Sequence, residues 1–209
     1  YKRIASDNLR SRKIGDILPT PPMLCDFFGG EPGFFHSVAS GDPLSDAVII
    51  WTRYTPCDAE DVVDIEFRIA KVDPDLPFED HLTAANPYLK SGIVTTDGTT
   101  DWVVKLDIKG LDPYTQYVYA FTDGSISSDV GLTKTAPAAD AMVDDVTYAV
   151  CSCSNFPNGY FHAYDIASTI EGLDIWIHTG DYLYEYGEWQ TWARDSTERW
   201  EIQEPKYEI

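Results

Sequence analysis

The stretch "VTYAVCSCSNFPNGYFHAYDIASTIEGLDIWIHTGDYLYEYG", Val146 to Gly187, decides the architecture of the second half of this chain. "VTYAVCS" is apolar and β-branched and reads as a buried strand. "NGYFHAYDIASTIEG" sets Tyr160, Ala163, Tyr164, Ala167 and Ile170 on one helical stripe, and Gly172 stops it. "LDIWIHTGD" reads as a second strand. The β-α-β order predicts two parallel, neighbouring strands. In open α/β sheets ligands collect at the carboxyl ends of the strands. Cys153 is expected to end the first strand and Asp181 the second, so a thiol and a carboxylate should converge. Tyr184, just beyond Asp181, is placed to reach the same point.

A convergent cysteine, aspartate and tyrosine suit a trivalent iron. Phenolate and carboxylate are hard anions, and a thiolate adds covalency. A carboxylate can also bridge to a second metal, and two metals about 3.5–4 Å apart are the usual device for in-line displacement at phosphorus. The expected metal ligands are therefore Cys153, Asp181 and Tyr184, with Asp181 as the catalytic residue. Each also has a plainer reading. A strand-end cysteine is commonly a small buried hydrophobe, Gly-Asp is commonly a turn, and Tyr184 would serve equally as a core aromatic. His178 stands before Thr179-Gly180-Asp181. It reads either as a donor that orients a ligand or as a satisfied core histidine. Cys151 belongs to the strand interior. His162, His36 and His81 are given no role.

Upstream the pattern is all-β. "VVDIEFRIAKV" alternates, with Val63, Ile65, Phe67 and Ile69 facing one way and Asp64, Glu66 and Arg68 the other. "DAVIIWTRYT" is a further strand, and "SGIVTTDGTTDWVVKLDIKG" reads as two strands around an Asp-Gly turn. Six or seven strands fit between Phe34 and Thr135, as in an Ig-like or fibronectin III sandwich. In "LDPYTQYVYAF", Tyr117 is the candidate for a tyrosine corner, where a phenol bonds back to the preceding loop. The expected division is a lead-in over 1–32, a sandwich domain over 33–136, a linker over 137–145 and the start of an α/β domain over 146–209. The lead-in opens on "YKRIASDNLRSRK", which reads as a short helix.

The chain has 209 residues and a net charge of -20. A chain this acidic repels nucleic acid and anionic membrane, and no basic patch with interleaved aromatics offsets that. The charge puzzle resolves if cations supply the positive field for a phosphate ester. No apolar run approaches the roughly 20 residues of a membrane span. Cys25 and Cys57 are able to pair in an oxidising compartment. Oligomeric state is not legible.

Two motifs, in order, resemble the PhoD-type alkaline phosphatases. "FFHSVASGDPLSDAVIIWTR" is similar to the opening of that family's β-domain. "CSCSNFPNGYFHAYDIASTIEGLDIWIHTGDYLYEYG" is similar to its metal-site region, which runs from Ser-Cys-Gln to His-x-Gly-Asp-Tyr-x-Tyr-Glu-Tyr. The resemblance covers about residues 34–190. It implies a fibronectin III/Ig-like β-sandwich followed by the first βαβ part of a calcineurin-like α/β metallophosphoesterase domain. It implies hydrolysis of phosphomonoesters and phosphodiesters, in a secreted, periplasmic or extracellular setting, with Fe3+ and Ca2+. Cys153 and Tyr184 would be iron ligands, and Asp181 would bridge iron and calcium. Ser154 stands where the family has Gln, and the family's later Asp, Asn and His ligands lie beyond Ile209. The chain is thus expected to be an N-terminal fragment, inactive alone. The rival expectation is a non-catalytic binding sandwich with a degenerate metallophosphoesterase remnant.

Overall fold

The computed structural model describes Cys25, residues 28–84, Asn86, residues 89–154, residues 161–182 and Tyr184. Most of the expected lead-in, including its short helix, lies outside the described residues. The chain divides into two compact units, Tyr1–Ala141 and Met142–Ile209.

The first unit holds seven strands: β1 (Val38–Gly41), β2 (Ala47–Arg53), β3 (Val63–Lys71), β4 (Lys90–Thr96), β5 (Val103–Lys109), β6 (Gln116–Thr122) and β7 (Gly131–Lys134). They form two antiparallel sheets, ordered β1-β2-β5 and β4-β3-β6-β7. Period-two alternation decides what each strand buries. On β2, Val48, Ile50 and Thr52 are buried; on β3, Ile65 and Ile69 are buried. Val104 and Ile108 of β5 and Tyr117, Tyr119 and Phe121 of β6 join them in one apolar cluster, against which Val63 and Phe67 pack. Both sheets therefore share a core, and the expected inward set on β3 is the observed one.

One expectation is corrected. The strands around Asp97-Gly98 do not pair with each other. β4 pairs with β3, and β5 pairs with β2. The connection is too long for a two-residue hairpin. A short 3-10 turn, Gly98–Thr100, is capped by Asp97, whose side chain accepts from Thr99 N–H. Asp101 and Trp102 follow at positive φ. This turns the chain out of one sheet and into the other, and the buried Trp102 indole N–H donates to Asp61 O at 2.9 Å.

Two further ties hold this unit. Asp112 N–H donates to the Tyr117 phenol oxygen at 2.7 Å, the tyrosine-corner bond read from the sequence. Cys25, fully buried, is disulfide-bonded to Cys57.

The second unit carries β8 (Tyr148–Cys151), α1 (His162–Ser168) and β9 (Ile175–His178). β8 and β9 run parallel, in register from Tyr148↔Ile175 to Cys151↔His178. The start of the pair is fixed by Asp174 and Ile175, whose N–H groups both donate to Thr147 O. Ala167 is the buried residue of α1. Tyr148 and Val150 of β8 and Ile175, Trp176 and Ile177 of β9 are exposed. Among the described residues no helix is long and apolar enough to cross a membrane.

Candidate metal centre

The strands end earlier than the sequence suggests, and this matters for the site. β8 stops at Cys151 and β9 at His178. Cys153 and Asp181 therefore sit on the turns beyond the strand ends, and both have left the extended conformation. Cys153 has φ 56°, Asp181 has φ 50°, and Gly180 has φ 120°. A non-glycine residue held there costs roughly 1–3 kcal/mol, so the surrounding bonds must fix it. They do. Thr179 N–H donates to Cys151 O at 3.0 Å, and Cys153 N–H donates to Gly180 O at 3.3 Å. The hydrogen bonding of the parallel pair is thus continued past its ends, and the two turns are laced together.

The result is convergence of all three expected residues. The Cys153 thiol donates to Asp181 Oδ2 at 3.3 Å. The Tyr184 phenol donates to the same oxygen at 2.8 Å. Cys153 and Asp181 are exposed, and Cys153 is a free thiol. The plainer reading of Cys153 as a small buried hydrophobe does not hold. The Cys153 side chain, then the Asp181 carboxylate, push the Tyr184 phenol well above the usual phenol range by hydrogen bonding to its protonated form.

This donor set fits a cation. One carboxylate oxygen receives two hydrogens, one from sulfur and one from a phenol. Replacing both by a metal ion would leave a thiolate, a carboxylate and a phenolate around one point, a set suited to ferric iron. Among the described residues no three His, Cys, Asp or Glu side chains cluster. The third donor here is a tyrosine.

His178 does not reach toward the three donors. Its Nδ1 accepts from Gly180 N–H at 3.2 Å, and its Nε2 lies 2.8 Å from the Tyr164 phenol oxygen. Tyr164, on α1, also meets the rings of Phe161, Trp176 and Tyr182. The stripe on α1 reads as packing for the helix. Nothing in that periodicity signals that its tyrosine would hydrogen-bond the strand-end histidine.

Comparison with known proteins identifies the family. The N-terminal domain model of the PhoD-like phosphatases matches residues 25–137, and the PhoD-like phosphatase model matches residues 148–209. Alkaline phosphatase D of Bacillus subtilis (strain 168) is 36% identical over 160 residues, which are 74% of this chain and 26% of that protein. The solved structure of PhoD superposes with a TM-score of 0.62 at 34% identity, over 74% of this chain and 29% of that one. This chain therefore spans about a quarter of the length of the Bacillus protein it matches. With both domain models matched in order, the chain belongs to the PhoD-like phosphatase family.

Proposed function

We propose that the protein hydrolyses phosphate esters, monoesters and diesters, at a metal centre of which Cys153, Asp181 and Tyr184 are part. One observation carries this: a thiol and a phenol from residues 31 positions apart both bond to Asp181 Oδ2. Cys153 and Tyr184 would hold Fe3+, and Asp181 would bridge it to Ca2+. When bound, the metals offset the negative charge of a phosphoryl group and lower the proton affinity of water.

The chain's own residues do the rest. Cys153 Sγ and Tyr184 Oη would each give up a proton on ligation. Asp181, fixed by its turn, holds Oδ2 against both donors. Calcium takes six to eight oxygen ligands, so three donors do not complete a two-metal centre.

The finer architecture follows the same likeness. Sheet orders β1-β2-β5 and β4-β3-β6-β7, with the Tyr117 bond, support a fibronectin III/Ig-like sandwich over 33–136. The parallel β8-α1-β9 unit is read as the first part of a metallophosphoesterase sheet. The Cys25–Cys57 disulfide supports a secreted, periplasmic or extracellular location.

The test is hydrolysis of a chromogenic phosphodiester by the intact protein before and after chelation. Activity should vanish with the metals and return with Fe3+ and Ca2+ together. Full activity after exhaustive metal removal sinks the proposal.

A further inference from the structure

We propose that His178, held by Tyr164, is a positioning residue that sets the turn carrying Asp181. The proposal rests on the reading of Asp181 as a metal ligand, but the geometry behind it needs no metal.

Asp181 is gripped on both flanks by one group of rings. On the side before it, Gly180 N–H donates to His178 Nδ1 at 3.2 Å. On the side after it, Tyr182 stacks on Tyr164, with ring planes 13° apart and centroids 5.9 Å apart. Tyr182 also meets the His178 ring edge-on at 5.0 Å. His178 and Tyr164 are themselves joined at 2.8 Å. The three rings contact one another pairwise, with His178 before Asp181 in the chain and Tyr182 directly after it.

The direction of each hydrogen bond follows from the first. Nδ1 accepts from a backbone N–H, so the ring hydrogen is on Nε2, which donates to Tyr164 Oη. Tyr164 therefore orients the imidazole, and the imidazole orients the Gly180 peptide. Gly180 has φ 120°, a conformation suited to glycine, and Asp181 at φ 50° follows directly. Without the His178 acceptor, nothing described fixes the Gly180 N–H. The Thr179–Gly180 peptide would then be held only by its neighbours' bonds, Thr179 N–H to Cys151 O and Cys153 N–H to Gly180 O, and the Asp181 carboxylate would be set less firmly against Cys153 and Tyr184. A residue that supports a ligand in this way is typically worth about 10–100-fold in metal affinity.

The choice of substitution separates this role from simple packing. In His178→Asn, the amide oxygen lies near the place of Nδ1, so the bond to Gly180 survives and the link to Tyr164 is lost. In His178→Gln, the amide reaches toward Tyr164, and the acceptor for Gly180 is lost. Tyr164→Phe removes only the phenol oxygen and keeps the stack on Tyr182. The intact protein would be measured in two ways. Amide exchange at Gly180 is read without metal. Fe3+ affinity is read by competition with a chelator, and circular dichroism confirms that each variant is folded.

His178→Ala and His178→Gln should speed exchange at Gly180 and weaken Fe3+ binding by about 10–100-fold. His178→Asn should keep most of the protection and most of the affinity, and Tyr164→Phe should fall between. Slow exchange at Gly180 in both His178→Ala and Tyr164→Phe would overturn the proposal. So would equal losses in the Asn and Gln variants. If the wild type binds no Fe3+, the metal-centre reading fails instead, and the exchange data still decide what His178 does.

Discussion

Cys153 donates its thiol hydrogen to Asp181 Oδ2 across 3.3 Å, although the two residues are 28 positions apart in sequence. Tyr184 donates to the same oxygen at 2.8 Å. Asp181 Oδ2 is thus the acceptor that both groups share. Asp181→Asn keeps its size and one acceptor oxygen but loses the charge. The variant should melt within about 0.5 kcal/mol of the wild type, as exposed substitutions do. Its Fe3+ affinity should fall by roughly 100-fold or more, beyond the usual loss for a supporting residue. Calorimetric melting and chelator competition, run side by side, check both halves. A stable variant with unchanged affinity would exclude Asp181 as a ligand.

The site was legible in the sequence because its logic is topological. A β-α-β crossover puts two strand ends on one edge, and Cys153, Asp181 and Tyr184 are the residues there with thiol, carboxyl and phenol groups. The legible part stopped where local geometry took over. Cys153 and Asp181 sit beyond the last paired residues at positive φ, and hydrophobic pattern carries no information about such turns. His178 was legible as a neighbour of the site but not in its direction, because one imidazole can donate or accept. Tyr164 was hidden because an apolar stripe reports burial and says nothing about a phenol oxygen. In the first unit, the alternation on β3 and the Tyr117 corner were plain. The Asp97-Gly98 turn misled, since the dipeptide marks a chain reversal without saying which sheet receives the next strand.

Glycine 131 shows how tightly the first unit is packed. It lies opposite Tyr119 in the β6–β7 ladder, and a Cβ there would overlap the Tyr119 ring. Tyr119 is itself buried, so the ring has little room to retreat. Gly131→Ala should destabilise this unit by about 1–3 kcal/mol, the range for overpacking a well-filled core. Gly41 on β1 is the control, because a Cβ there meets nothing within 4 Å. Denaturant melts of the two alanine variants should differ in midpoint. Equal midpoints would mean that the Tyr119 ring moves aside freely.

Acid should loosen the same unit, and Asp123 is one reason. Burial alone would raise its carboxyl, but N–H bonds from Ile126 and Ser125 and the Tyr54 phenol bond together lower it. Its folded pKa therefore lies below the unfolded value of about 3.9. The stabilisation is complete above the unfolded value and is lost as pH falls through the folded one. Asp101, lowered first by its Arg53 hydrogen bond, and Glu66, lowered first by Arg68, act in the same direction. Stability should be flat near neutrality and decline below about pH 4. Asp123→Asn should lower the plateau and make the acid decline shallower. An unchanged pH profile would remove Asp123 from the account.

The Cys25–Cys57 bridge ties a fully buried sulfur to a residue 32 positions further on. Closing a loop of that length restricts the unfolded chain, an effect worth about 3–4 kcal/mol on chain-entropy grounds. Reduction should therefore shift the denaturant midpoint of the β unit sharply downward. Cys57→Ser should reproduce the shift without reductant, since only the cross-link and one sulfur atom change. The same variant leaves the bonds from Cys153 and Tyr184 to Asp181 untouched. Its loss should therefore fall on unfolding of residues 25–141, with Fe3+ affinity at low temperature held at the wild-type value. Joint loss of stability and affinity would instead show that the disulfide supports the metal site as well as the β unit.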